Sequence, residues 1–139
     1  MIVLDTSGLL SAIDAGQRFH DEARGALERD AGPFVLSPFV LAELDYLLSA
    51  QVGPDAEVGL LREVARGAYR LEPFSPDDVD AATDLVERYR DLGIGLADAS
   101  VVVLAAAHRT TRLLTLDERH FRSVRPLHGR SFRLLPRDA

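Results

Sequence analysis

The sequence contains no cysteine and no lysine, and each absence removes a class of chemistry. Without cysteine there can be no disulfide, no thiolate metal site and no cysteine nucleophile. Any metal must therefore be held by oxygen ligands or by one of the four histidines. All 16 basic residues are arginine, so a reaction that needs an active-site lysine is excluded as well.

Long hydrophobic runs are also missing. The longest mainly apolar stretch, 99–107, is far too short to span a membrane, and the first residues lack the basic region and cleavage site of a signal peptide. We therefore expect a cytoplasmic protein with no membrane partner. The chain has 139 residues, 47% apolar and 27% charged, without repeats or linkers, which predicts a single domain over 1–139.

The net charge of −6 is distributed unevenly along the chain. From residue 109 to the end there are eight arginines against three acids, a net charge of +5, so the first 108 residues carry −11. Such asymmetry is typical of a surface that faces phosphate groups. An ordinary solvated surface explains it equally well.

Short apolar runs alternate with amphipathic segments. The runs predict strands at 1–4, 34–36, 69–74, 112–116 and 132–135, and the segments between them predict helices at 9–13, 17–29, 38–51, 54–66, 76–91 and 97–108. In the helix at 17–29, Phe19, Ala23, Ala26 and Leu27 are expected to face inward. This alternation predicts an α/β sandwich around a mainly parallel sheet.

Four acids stand out against this background. Asp5 and Asp117 each follow a predicted strand, where ligands bind in open parallel sheets, although a strand-ending turn alone would also explain either one. Glu43 and Asp98 lie in apolar helical segments, where an unpaired carboxylate is costly to bury. The alternatives are a salt bridge to arginine for Glu43 and a helix-terminal position for Asp98.

Clustered carboxylates repel one another, and a divalent cation with oxygen ligands, such as Mg²⁺, relieves that repulsion. Such a centre suits phosphodiester hydrolysis, because the metal lowers the pKa of a bound water and stabilises charge on the phosphate. Thr6, Ser7 and Thr115 flank the acids and could hydrogen-bond the carboxylates or metal-bound water. Thr6 or Ser7 could equally cap the following helix.

Four segments together resemble the PIN-domain ribonucleases, and more closely the VapC toxins of bacterial VapBC toxin–antitoxin pairs. They are Asp-Thr-Ser-Gly-Leu-Leu from residue 5, Ser-Pro-Phe-Val-Leu-Ala-Glu ending at Glu43, Ile-Gly-Leu-Ala-Asp-Ala around Asp98, and Leu-Thr-Leu-Asp-Glu-Arg-His-Phe around Asp117. The resemblance covers essentially the whole chain. It implies a three-layer α/β/α fold with a central parallel sheet, Mg²⁺- or Mn²⁺-dependent cleavage of RNA, a homodimer, and inhibition by a VapB-type antitoxin that alone contacts operator DNA.

The resemblance also assigns roles. Asp5, Glu43, Asp98 and Asp117 match the family's four acids, and Thr6 or Ser7 matches its hydroxyl after the first aspartate. Asp5 and Asp98 are expected to bind the metal directly, Asp117 to bind it directly or through water, and Glu43 to orient or deprotonate the attacking water. Asp45 is expected on the opposite side of its helix. The basic residues expected to meet RNA phosphates beside the site are Arg112, Arg119, His120 and Arg122.

Several rival classes fit the sequence less well. A phosphate-receiver domain and a haloacid-dehalogenase-like phosphatase both need a lysine, and a zinc site is disfavoured because the four histidines show no paired ligand spacing. The serious rival is a subunit of the same fold that acts mainly by binding, inside a toxin–antitoxin complex on operator DNA. Core packing is expected, ahead of a dimer or antitoxin groove, for four apolar residues: Val52, Val58, Leu60 and Leu61.

Overall fold

The computed structural model describes all 139 residues. One sheet of five strands forms its centre, with the order β3-β2-β1-β4-β5 and every pairing parallel. Val3 of the central strand pairs with Val35 on one side and Leu113 on the other, which fixes the register. The strands are β1 (Ile2–Leu4), β2 (Phe34–Leu36), β3 (Arg70–Leu71), β4 (Arg112–Leu114) and β5 (Arg133–Leu135).

Helices cover the sheet and complete a three-layer α/β/α arrangement, which confirms the predicted fold class. They are α1 (Thr6–Ile13), α2 (His20–Glu28), α3 (Pro38–Gln51), α4 (Pro54–Ala65), α5 (Pro76–Arg88), α6 (Leu96–Ala107) and α7 (Glu118–Phe121), with a 3₁₀ turn at Arg90–Leu92. Helix α1 packs on α2 and α3, α3 on α4 and α6, and α5 on α6. None of these helices has the length and apolar character needed to cross a membrane.

Local sequence explains where the helices begin. Ser37 caps α3 by accepting a hydrogen bond from the backbone N–H of Phe39, and Pro38 occupies the first helical position, where no amide hydrogen is needed. Ser75 and Asp78 form a reciprocal capping box at the start of α5. These signals place the start of each helix where the sequence predicts it.

The chain order creates a switch point between β1 and β4. After β1 the chain moves to β2 and β3 on one side, and it returns to the other side only for β4 and β5. In open parallel sheets a crevice forms at such a point, beyond the carboxyl ends of the two strands. The residues that directly follow β1 and β4 therefore come together.

Helix α1 approaches this crevice very closely. A Cβ built on Gly8 would lie 2.2 Å from the carbonyl oxygen of Leu114, at the end of β4. Only glycine allows this approach, which brings the first turn of α1 against the carboxyl end of β4. The backbone N–H of Asp5 also donates to the Leu114 carbonyl oxygen over 3.0 Å, so the chain stays attached to β4 beyond β1.

Several predicted boundaries differ from the structure. Strand β3 keeps only two exposed residues of the predicted 69–74, because it is an edge strand followed by Pro73. Helix α1 begins at Thr6 rather than residue 9, and the sequence does not predict α7. Phe19 does not face inward: it precedes α2, is 43% exposed, and has the Arg18 guanidinium 5.1 Å from its ring centroid.

The apolar residues at the α3–α4 junction divide into two groups. Leu60 packs into the core as predicted. The expectation of core packing is wrong for the other three, which lie on the surface because they occupy the outer face of this helix pair: Val52, Val58 and Leu61.

Candidate active site

Asp5 lies at the switch point and is almost completely buried. Its Oδ2 accepts hydrogen bonds from the Thr115 hydroxyl over 2.7 Å and from the Ser7 hydroxyl over 3.1 Å. Those hydroxyls are themselves fixed, since the Ser7 oxygen accepts from the backbone N–H of Leu116 and the Thr115 oxygen from that of Asp117. The two hydroxyl oxygens are also 3.2 Å apart, and Oδ1 of Asp5 accepts no side-chain hydrogen bond.

Burial changes the acidity of Asp5. Desolvation raises the pKa of this carboxyl from 3.8 to about 6, and the nearby Asp98 carboxylate adds to the rise. The hydrogen bonds from Thr115 and Ser7 and from the Thr6 backbone oppose the rise, because they favour the charged form. A neighbouring cation would lower this pKa again, because it favours the charged form of the carboxyl.

The predicted hydroxyl contacts are therefore made by Ser7 and Thr115 but not by Thr6. The Thr6 hydroxyl is buried without a hydrogen-bond partner. Neither Thr6 nor Ser7 caps α1, whose N-terminal flanking residue is Asp5.

Asp98 reaches the same crevice from α6. It occupies the first turn of that helix, where the helix dipole favours a negative charge. Its side chain is 20% exposed, and burial raises its pKa. The nearby His120 opposes this rise, while the carboxylates of Asp117 and Glu43 add to it, so these three side chains all lie close to Asp98.

Asp117 begins the short helix α7. Its Oδ1 accepts a hydrogen bond from the backbone N–H of His120 over 3.0 Å, which caps the helix and fixes the carboxylate. The remaining oxygen, Oδ2, lies 2.9 Å from the His120 Nδ1. The side chain is 31% exposed, so this end of the cluster opens to solvent.

Glu43 differs from the other three acids. The sequence predicts an apolar environment for it, but it is exposed, as is Tyr46 on the next turn, because this face of α3 is not covered by another element. The expectation of costly burial is therefore wrong for Glu43. Asp45 points away from the crevice, as predicted, and its carboxyl group contacts Glu57 of α4 and raises the pKa of Glu57.

A buried serine pair sets the position of α3 relative to α6. The hydroxyl oxygens of Ser37 and Ser100 are 2.6 Å apart, and Ser100 donates to the Ala97 carbonyl oxygen. Ser37 is therefore the donor in the pair. The contact ties the start of the helix that carries Glu43 to the helix that carries Asp98. The capping role of Ser37 is evident from the sequence, whereas nothing in the sequence points to Ser100.

His120 lies inside the acidic cluster and not on an RNA-facing surface beside it. Its Nδ1 is 3.0 Å from an oxygen of Asp98 and 2.9 Å from an oxygen of Asp117. The sequence does contain a signal for the position of His120, but the signal is overlooked when His120 is grouped with the neighbouring arginines. Asp117 and His120 are three residues apart on one helical turn, the spacing of carboxylate–histidine ligand pairs in metalloprotein helices.

The three predicted phosphate-binding arginines are not equivalent. Arg112 does not lie beside the acids: it begins β4 at the opposite end of the sheet and pairs with Asp30 over 2.5 Å. Arg122 is held by both oxygens of Asp138 and by Glu118, contacts that raise its pKa. Arg119 is exposed and makes no ion pair, and it follows Asp117 by two residues.

The donor set fits a divalent cation. Ligand atoms of Asp98, Asp117 and His120 lie within 4.8 Å of one another, and Asp5 is close enough to Asp98 for the Asp98 carboxylate to raise its pKa. These groups are oxygen donors and one imidazole, the ligands of hard and borderline divalent ions. Fold and site together define a parallel α/β protein with an acidic, metal-capable centre at its switch point.

Comparison with known proteins gives the family. The family model described as "PIN domain" matches residues 2–126. The chain is 43% identical over 135 residues to Ribonuclease VapC26 of Mycobacterium tuberculosis, an alignment that covers 97% of this chain and all of that protein. The chain therefore belongs to the PIN-domain family and, within it, to the VapC ribonucleases.

Solved structures agree on the fold. The chain is similar to Mycobacterium tuberculosis VapC20, a sarcin–ricin loop cleaving toxin, with a TM-score of 0.81 at 19% identity over 93% of this chain and 100% of that one. It is also similar to VapBC2 from Rickettsia felis bound to a promoter DNA fragment, with a TM-score of 0.66 at 23% identity over 92% and 96% of the two chains.

Proposed function

We propose that this protein is a metal-dependent endoribonuclease toxin that cleaves structured cellular RNA, in a loop of tRNA or rRNA, and is neutralised by a VapB-type antitoxin. The observation that carries the proposal is the convergence of Asp5, Asp98 and Asp117 at one switch point, where Asp98 interacts with both of the other acids. The relationship to Ribonuclease VapC26 supports the RNA substrate, and VapC20 is described as cleaving an rRNA loop.

Each acid has a distinct task in hydrolysis. Asp5, fixed by Thr115 and Ser7, and Asp98, at the start of α6, would hold Mg²⁺ or Mn²⁺, and Asp117 would complete the site. When bound, the cation supplies Lewis acidity to the scissile phosphate and lowers the pKa of a coordinated water.

Glu43 is the exposed acid of the cluster and close enough to Asp98 to raise its pKa. It orients the attacking water and accepts its proton, because it is the acid in the cluster that solvent reaches most freely.

RNA approaches from the open side of the cluster. Arg119 is the predicted arginine that remains free to meet a phosphate, since Arg122 is paired with Asp138 and Arg112 lies at the other end of the sheet. Arg137 lines a cleft of about 380 Å³ beside Thr115, but Glu22 and Glu118 line it as well, so this cleft carries no net positive charge for RNA. Phosphate contacts of this kind position a substrate without reading its sequence.

Partner binding is assigned to the outer face of α3 and α4. The exposed side chains of Val52, Val58 and Leu61 leave apolar surface there, which suits a homodimer contact or an antitoxin helix. The rival function, in which this fold acts mainly as a subunit of a DNA-bound complex, has its precedent in the Rickettsia felis VapBC2 structure on promoter DNA. In both cases the antitoxin makes the operator DNA contacts.

One experiment separates the two functions. The purified protein is incubated with total RNA and Mg²⁺, with EDTA in place of Mg²⁺, and as the Asp5→Asn variant; the control is Asp84→Asn, an exposed aspartate of α5. Cleavage is expected only with metal, in the wild type and in the control. RNA cleavage that changes neither on addition of EDTA nor in the Asp5→Asn variant would refute the proposed nuclease activity. Mapping RNA 5′ ends in cells that express each variant identifies the cleavage position.

A further inference from the structure

We propose that His120 is a direct ligand of the metal, through Nδ1, and that the centre is therefore a mixed nitrogen–oxygen site selecting divalent first-row transition ions such as Mn²⁺ over Mg²⁺. This inference rests on the metal-dependent function proposed above. It adds an imidazole to a centre that the sequence predicts from carboxylates alone.

The distances at His120 are those of neighbouring ligands on one ion. Its Nδ1 lies 3.0 Å from the Oδ2 of Asp98 and 2.9 Å from the Oδ2 of Asp117. Ligands about 2.1 Å from an octahedral ion are separated along each edge of the octahedron by about 3.0 Å. The imidazole nitrogen therefore already lies at the spacing of a coordinated neighbour from each of the two carboxylate oxygens, and all three donor atoms lie within 4.8 Å of one another.

One hydrogen bond accounts for only one of the two close contacts of the imidazole. The Nδ1 atom is buried and lies within 3.0 Å of two carboxylate oxygens, and its hydrogen bond to Asp98, which lowers the pKa of that carboxyl, serves only one of them. A proton on Nδ1 that served one carboxylate would be directed along that contact. A cation in place of that proton would be bound by the nitrogen lone pair and by both carboxylates together.

The backbone holds His120 in this position. Its N–H donates to Oδ1 of Asp117, so one carboxylate oxygen fixes the histidine and the other remains available beside Nδ1. Phe121, the next residue, is buried against Phe132 with ring centroids 6.0 Å apart, which anchors α7 to the core. The imidazole is thus pre-positioned, which reduces the entropy lost when a metal binds.

An imidazole changes the order of metal affinities. Mg²⁺ demands oxygen donors and gives up its water reluctantly, whereas affinity for nitrogen donors rises from Mn²⁺ through Co²⁺ to Ni²⁺. Removal of His120 should therefore weaken Mn²⁺ and Co²⁺ binding by at least about tenfold, the loss that even an outer partner of a metal ligand typically causes. Binding of Mg²⁺ should change much less.

The decisive measurement is pulsed electron paramagnetic resonance of the full-length protein loaded with Mn²⁺. A directly bound imidazole gives a ¹⁴N modulation, which is expected in the wild type and in the His128→Asn control, a histidine on an exposed loop. The His120→Asn variant is expected to lose it. Wild-type protein grown with ¹⁵N-histidine provides the same test without a substitution, because the ¹⁴N signal must be replaced by a ¹⁵N signal.

The outcomes separate the two proposals. Mn²⁺ that binds in an Asp98-dependent manner without histidine nitrogen coupling would overturn the role of His120 and leave the carboxylate centre intact. Absence of Mn²⁺ binding, or binding that Asp98→Asn does not weaken, would overturn both. Titration calorimetry with Mn²⁺, Co²⁺ and Mg²⁺ supplies the second readout: equal weakening of all three ions by His120→Asn would contradict the inferred selectivity.

Discussion

Replacing Asp5 with asparagine is expected to stabilise the metal-free protein above pH 6 while abolishing RNA cleavage. The fold favours the protonated form of Asp5, since burial raises its pKa from 3.8 to about 6. The stability that protonation contributes is fully present below pH 3.8 and is lost as the pH rises through about 6. At pH 8 the wild type must therefore bury a carboxylate that the variant does not have.

The size of this effect follows from the two pKa values of Asp5. The difference between 3.8 and about 6 corresponds to about 3 kcal/mol between the charged and neutral forms. About 1.4 kcal/mol of it is lost between pH 5 and pH 8, because the unfolded chain is already ionised at pH 5 and only the folded state still releases its proton over this range. Asparagine retains an oxygen that accepts hydrogen bonds from Thr115 and Ser7. The variant should therefore be more stable than the wild type at pH 8 by nearly the whole of this difference, about 3 kcal/mol.

The assay is urea unfolding in EDTA at pH 5 and pH 8, with Asp84→Asn as the exposed control that should show no such gain. Addition of Mn²⁺ or Mg²⁺ should reverse the order at pH 8, since only the wild type retains the full metal site and gains stability by binding. An Asp5→Asn variant that is less stable than the wild type in EDTA at pH 8 would refute the burial argument.

Three further substitutions test how the site is built. Gly8→Ala should lower the free energy of unfolding by about 1–3 kcal/mol, because its Cβ would meet the Leu114 carbonyl oxygen; urea midpoints check this, and an unchanged midpoint would contradict the close approach. Thr115→Val should raise the pKa of Asp5 further and move the pH midpoint of Mn²⁺ binding upward, measured by calorimetry across pH, whereas an unchanged midpoint would show that the hydroxyl does not act on Asp5. Arg112→Ala should lower the free energy of unfolding, because it removes the ion pair with Asp30, and should leave RNA cleavage unchanged. Slower RNA cleavage by a folded Arg112→Ala variant would show that this arginine contributes to the active site.

The fold was largely predictable because its signals are local and repeated. Buried parallel strands appear as short apolar runs, and serine caps with proline at the first helical position mark α3 and α5 within a residue. The misjudged elements lack such signals. Strand β3 has two exposed residues whose pairing depends on β2, and α7 is a single turn, too short to display a helical period.

The site was predictable only in part, and Glu43 shows why. Its apolar neighbours at helical spacing indicate burial only if another element covers that face of α3, and coverage is a tertiary property. Asp5 and Asp98 were predictable from their positions at a strand end and a helix start, which the fold itself brings together. The brace between Ser37 and Ser100 joins residues 63 positions apart, so no local pattern could reveal it.

The position of His120 depends on the short helix α7, because one helical turn places its imidazole beside the Asp117 carboxylate. Asp117 closes β4 and caps α7, and the turn that follows carries the imidazole back over the carboxylate. The same geometry makes Arg119 and His120 point in different directions, although both belong to the basic stretch near the end of the chain. Their charge alone predicts a common partner, RNA phosphate. Arg119 is exposed to solvent, where it can contact an RNA phosphate. His120 lies among the acids, where a bound cation reduces the repulsion between the carboxylates and a phosphate would increase it.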